Sequence, residues 1–184
     1  TCQKYGLRLF IDGARLGYGL VSAACDYDLP FLAKHCDVFY IGGTKVGAMM
    51  GEAVVFSGMK APKYFFTNVK RHGALLAKGR MLGIQFDTLF TDELYFKISR
   101  HAIAMATRIR SIFEKHGITL AYDSPTNQQF VVLSPTLYEA LSQKVAFEIW
   151  ERKSEHEIIC RFVTSWATKE EELDELDRIL QAYA

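Results

Sequence analysis

The sequence predicts an α/β chain: the end of a larger domain with a mostly parallel sheet over residues 1–75, then linking helices and a small α+β domain over 76–184. Three observations carry this. Apolar runs at 7–11, 38–41 and 53–56 flank a helical segment, and the first two make a β-α-β pattern. A long amphipathic stretch, 91–117, follows. Beyond it, short strand-like and helix-like segments alternate up to a terminal amphipathic helix.

Leu7 to Ile11 reads as a strand and ends in "DGAR", where the glycine breaks it and leaves Asp12 at its carboxyl end. "LPFLAKHC" has helical spacing. Val38 to Ile41 is the continuous apolar run of a strand covered on both faces. Asp12 and Lys45 lie 33 positions apart, close to the roughly 30 residues of one β-α-β unit. That places both at carboxyl ends of neighbouring parallel strands, the edge where open α/β sheets bind ligands.

Ala53 to Phe56 forms the next strand, and Pro62 to about Arg71 a short helix or turn. "GALLAKGRMLGIQFDTLF" reads as another helix, weakened by Gly79 and Gly83. The stretch from Thr91 or Asp92, as cap, to Gly117 is the clearest helix, with Leu94, Ile98, Ala102, Met105 and Ile109 on one face. Strands follow at 118–122 and 129–133, a helix at 135–145, strands at 147–150 and 159–163, and a last helix carrying Leu173, Leu176, Ile179 and Leu180. No low-complexity linker marks a boundary, which pattern change alone places between 70 and 92.

Lys and Arg number 22 against 21 Asp and Glu, a formal charge of +1, which gives no electrostatic case for nucleic acid or an anionic membrane. No apolar run approaches a membrane span and no secretion signal opens the chain, so a soluble, cytoplasmic protein is expected. Cys2, Cys25, Cys36 and Cys160 lack paired short spacing, so reduced thiols are expected, with neither zinc nor disulfides. The chain opens without Met, almost directly into a buried strand, which is the expectation for the later part of a longer protein.

"FYIGGTKVGAMMGEAVVF" sets Lys45 among glycines between two apolar runs. A phosphate loop needs G-x-x-x-x-G-K-[ST] and a following helix; here the order is Thr44-Lys45 and a strand follows. A partly desolvated lysine can instead condense with an aldehyde, and Gly42, Gly43 and Gly47 would let a flat cofactor approach. If that aldehyde is pyridoxal phosphate, a carboxylate against the ring nitrogen strengthens the electron sink, and Asp12 is placed to supply it.

With "IDGARLGYG", "DVFYIGGTKVGAMMGEAVVF", "SPTNQQFVVL" and "CRFVTSWAT" in this order, the chain resembles the low-specificity threonine aldolase and beta-eliminating lyase family. These are fold type I, aspartate-aminotransferase-like pyridoxal-phosphate enzymes. The resemblance implies that Lys45 binds the cofactor's aldehyde, Asp12 pairs with its ring nitrogen, and Ala14 packs on a ring face. It also implies that Arg15 lies by cofactor and substrate and that Arg161 holds the substrate carboxylate. Thr44 either bonds the phosphate or caps its turn. Cleavage of threonine to glycine and acetaldehyde is the leading implied reaction, in a homodimer or homotetramer. Beta-elimination, transamination and a catalytically incomplete assembly domain stay open. The cofactor-stacking histidine and most phosphate ligands would lie upstream of Thr1, and the segment holding Arg80 departs from the family pattern.

Overall fold

A computed structural model describes residues 1–183, which form two compact units: Thr1–Leu20 with Cys25–Lys97, and Val21–Ala24 with the residues from Ile98 onward.

In the first unit, β1 (Phe10–Ile11) runs parallel to β2 (Val38–Gly42), and β3 (Glu52–Phe56) returns antiparallel on the other side of β2. The register pairs Phe10 with Val38 and Ile11 with Phe39. α1 (Leu16–Leu20) and α2 (Leu29–His35) make up the crossover. α2 starts where Asp28 accepts the Phe31 amide at 2.8 Å, with Pro30 in its first turn. Phe39 and Ile41 are buried while Tyr40, between them, is half-exposed on the other face. α3 (Phe65–Arg71) and α4 (Arg80–Phe90) follow, and Gly83 does not interrupt α4.

The strand expected over 7–11 shortens to two residues, because pairing begins only where Leu9 O accepts the amides of Asp37 and Val38. α1 is hidden in the sequence by Gly17 and Gly19, which weaken a helical reading. Neither Thr91 nor Asp92 caps the long helix. Thr91–Glu93 forms a 3₁₀ turn with Asp92 and Glu93 at positive φ, and α5 (Leu94–Lys115) starts after it.

The second unit takes in most of α5 and stacks β4 (Gln128–Leu133), β6 (Ile158–Val163) and β5 (Glu148–Arg152) in the order β4-β6-β5, all antiparallel. α6 (Pro135–Ser142) is capped by Ser134, and α7 (Glu170–Gln181) closes the chain. The core joins Ile109, Phe113, Val131, Phe162, Leu176 and Leu180 among others. α5 ends at Gly117, whose φ of 69° suits glycine at that cap. The strand expected at 118–122 is reduced to a single bridge, Leu120 with Val131, because the Asp123-Ser124-Pro125 turn draws the chain away. The four cysteines are free, with Cys36 and Cys160 buried. No helix among the described residues is long and apolar enough to cross a membrane.

Candidate active site

The carboxyl ends of β1 and β2 are held together by backbone contacts that leave no room for side chains. Gly13 O accepts the Gly42 amide at 2.9 Å. A Cβ on Gly13 would lie 1.8 Å from Tyr40 O, and one on Gly42 would lie 2.3 Å from Ala14 O. At Gly43 it would meet Gly51 O at 2.6 Å. Gly42 and Gly43, expected to admit a flat cofactor, are therefore required for the approach of the chain to itself; Gly47, at a φ of 92°, is required by its backbone conformation.

Asp12 stands one residue past Ile11, opposite Tyr40 if the register is continued. Its Oδ1 accepts both the Ala14 amide, at 3.0 Å, and the Tyr40 hydroxyl. The Tyr40 bond first, and the Ala14 bond after it, hold its carboxyl below the ordinary carboxylate value; burial opposes them and the Lys45 charge adds the least. The same bond to Asp12, more than burial, pushes the Tyr40 phenol up to about 12.

Lys45 is exposed on the turn that follows the β2 end. Gly43 O accepts the amides of Val46, at 2.9 Å, and Ala48, at 3.0 Å, and Val46 is wholly buried. Buried Tyr18 donates its hydroxyl to Lys45 O. Glu52, paired with Gly42 at the head of β3, accepts the Gly43 amide at 2.5 Å and the Thr44 hydroxyl at 3.0 Å. Lys45 itself is exposed among the described residues, on a turn held by these bonds. Met49 and Met50 are exposed, and Gln85 of α4 holds their backbone.

Tyr95 completes this edge from α5. Fully buried, it donates to Gly42 O at 2.9 Å and accepts the Gly17 amide at 3.0 Å, tying the end of β2 to α1. Burial pushes its phenol well above the ordinary tyrosine value. Tyr95→Phe should cost about 1–3 kcal/mol, since it strands a buried carbonyl and a buried amide; the shift in denaturation midpoint measures this.

The structure therefore brings Asp12, Ala14, Thr44 and Lys45 together at one sheet edge, with Arg15 next in the chain at the start of α1. Arg15 is half-buried, and no carboxylate of the described residues pairs with it. Arg161 belongs to the second unit, on β6. Its guanidinium donates to Gln128 Oε1 at 3.0 Å, pairs with Glu148 and lies 5.3 Å from the Trp150 ring, while its Nε is buried without a partner. Tyr18, Tyr40, Glu52 and Tyr95 were not read from the sequence as site residues. Register supplied a signal for Tyr40 alone, since it occupies the strand position next to Asp12 on the parallel neighbour.

No protein-family model matches the chain. It is 29% identical over 183 residues to the low specificity L-threonine aldolase of Pseudomonas sp. (strain NCIMB 10558), covering 99% of this chain and 52% of that protein. With the low specificity L-threonine aldolase of Pseudomonas aeruginosa it shares 28% identity over 179 residues, 97% of this chain and 51% of that one. A solved structure of Leishmania major threonine aldolase superposes with a TM-score of 0.94 at 38% identity, over 99% of this chain and 53% of that one. Serine palmitoyltransferase of Sphingomonas wittichii gives 0.67 at 12% identity, a likeness of fold alone, over 98% of this chain and 48% of that one. The chain thus spans about half the length of the relatives it matches, and its fold is that of the fold type I, aspartate-aminotransferase-like enzymes.

Proposed function

We propose that this chain, which shares sequence and fold with about half the length of threonine aldolases, is part of a pyridoxal-phosphate lyase that cleaves threonine into glycine and acetaldehyde. The observation that carries the reading is the sheet edge itself. Among the described residues, an ionised carboxylate with one oxygen unengaged stands within electrostatic reach of an exposed lysine that has no hydrogen bond or ion pair through its amine.

The residues present fit the cofactor. Asp12 Oδ2, the Lys45 amine and the Arg15 guanidinium all lack protein partners among the described residues; the carboxylate suits a protonated ring nitrogen, the amine is a nucleophile for an aldehyde, and the guanidinium suits an anionic oxygen. When bound, pyridoxal phosphate supplies an electron sink for the pair released at an amino acid's Cα. The remaining roles belong to this chain. Asp12 keeps the ring nitrogen protonated through charge. Lys45 would hold the cofactor through its aldehyde, and its amine, when free, would carry a proton. Ala14 bounds one ring face and Arg15 adds positive charge beside the substrate. Thr44 contributes by fixing the turn, because its hydroxyl is given to Glu52.

In the second unit Arg161 is assigned to the substrate carboxylate. Its planar fork suits that partner, and its Nε is buried with no partner among the described residues. Residues 1–75 form the cofactor-holding part of this assignment and 76–184 the rest. A homodimer or homotetramer in the cytoplasm belongs to the same reading, with the free cysteines in keeping with a reducing compartment.

Product analysis on the full-length protein tests the reaction. Threonine and pyridoxal phosphate should give glycine and acetaldehyde in equal amounts. A keto acid with ammonia would instead mean beta-elimination, and amino-group exchange with an added keto acid would mean transamination.

A further inference from the structure

We propose that Tyr40 is a positioning residue for Asp12: by giving its hydroxyl to Oδ1, it turns Oδ2 outward as the oxygen that meets a protonated ring nitrogen. The inference rests on the reading of Asp12 given above. Two donors, the Ala14 amide and the Tyr40 hydroxyl, converge on one carboxylate oxygen. A carboxylate held by one donor can rotate about its Cβ–Cγ bond. With a backbone amide from its own turn and a phenol from the neighbouring strand on the same atom, rotation breaks at least one bond, and the other oxygen keeps a fixed direction.

Both donors are themselves anchored. Gly13 O accepts the Gly42 amide and the Leu16 amide, each at 2.9 Å, which fixes the turn that carries Ala14. Tyr40 pairs in the sheet with Val54, and its ring sits 6.1 Å from that of Phe10. An exposed carboxylate with no such hold would spread over several orientations, and binding would have to order it. The phenol remains a donor through the physiological range, since its own proton is held up to about 12.

Tyr40→Phe keeps the ring and its contact with Phe10 but removes the donor. The proton count sets the sign. In the native arrangement the Asp12 carboxyl lies below its ordinary value, with the Tyr40 bond the largest cause, so losing that bond must move it upward.

The test uses full-length protein labelled with carboxyl-¹³C aspartate, the Asp12 resonance being identified by its loss in Asp12→Asn. In Tyr40→Phe the Asp12 titration should move to higher pH, and the dissociation constant for pyridoxal phosphate should rise about tenfold, the scale of one hydrogen bond to a charged group. An Asp12 titration identical in the two proteins overturns the proposal, whatever the affinity does. A shifted titration with unchanged affinity overturns the aiming of Oδ2. If the unsubstituted protein takes up no pyridoxal phosphate, the functional reading fails, and the aiming proposal with it. The titration still reports separately whether Tyr40 holds Asp12.

Discussion

Lys45→Ala should abolish covalent uptake of pyridoxal phosphate by the full-length protein and lower threonine cleavage about a thousandfold or more, while leaving its thermal midpoint nearly unchanged. The separation follows from how the turn is built. What holds residue 45 in place is its backbone: the Tyr18 hydroxyl on Lys45 O, the Gly43 carbonyl beneath Val46 and Ala48, and the Glu52 carboxylate on Gly43 and Thr44. Alanine keeps every one of these bonds. The exposed amine adds nothing to packing, so its removal costs chemistry without costing fold. An amine that also moves a proton accounts for about 10²- to 10⁴-fold by itself, and losing the covalent attachment adds to it. A variant that unfolds earlier, or retains a visible cofactor band, contradicts this division of labour.

The second large effect is on stability. Gly13→Ala would place a methyl 1.8 Å from Tyr40 O and 3.3 Å from the Leu16 Cβ. Gly13 needs no left-handed backbone, so the penalty is steric. The atom it strikes belongs to the backbone of β2, which is bound on one side to β1 and on the other to β3, and cannot move alone. Separation of the strand ends would also strain the Gly42 amide bond to Gly13 O and draw Tyr40 away from Asp12. We expect a loss of about 3 kcal/mol or more, at the upper end for overpacking, read from the urea midpoint of the full-length protein. Gly19→Ala is the control. No atom lies within 4 Å of its would-be Cβ, and within a helix alanine should be neutral or slightly stabilising.

The sequence made the sheet edge legible because two signals agree there: an apolar run fixes a strand, and the β-α-β spacing fixes which strand ends are neighbours. β1 and β2 are indeed parallel, with Asp12 and Lys45 just beyond their carboxyl ends. What escaped was whatever depends on parity or distance in the chain. Tyr95 reads as one more aromatic on a helix face, and nothing local announces that its hydroxyl reaches Gly42, 53 residues away. Glu52 reads as a polar residue opening a strand, and its grip on Gly43 and Thr44 needs the antiparallel pairing of β2 with β3 to be known. The glycines were assigned room for a cofactor, whereas three-dimensional packing uses Gly42 and Gly43 for backbone contact. Arg161 is assigned to a substrate carboxylate by resemblance alone; that Glu148 meets it depends on the antiparallel register of β5 with β6, which the strand pattern at 147–150 does not give.

Trapping tests the central assignment most directly. Full-length protein incubated with pyridoxal phosphate and reduced with borohydride should yield, on peptide mapping, one phosphopyridoxyl group, on the peptide that contains Lys45 and at that residue. A label spread over other lysines, or none on Lys45, would contradict the account.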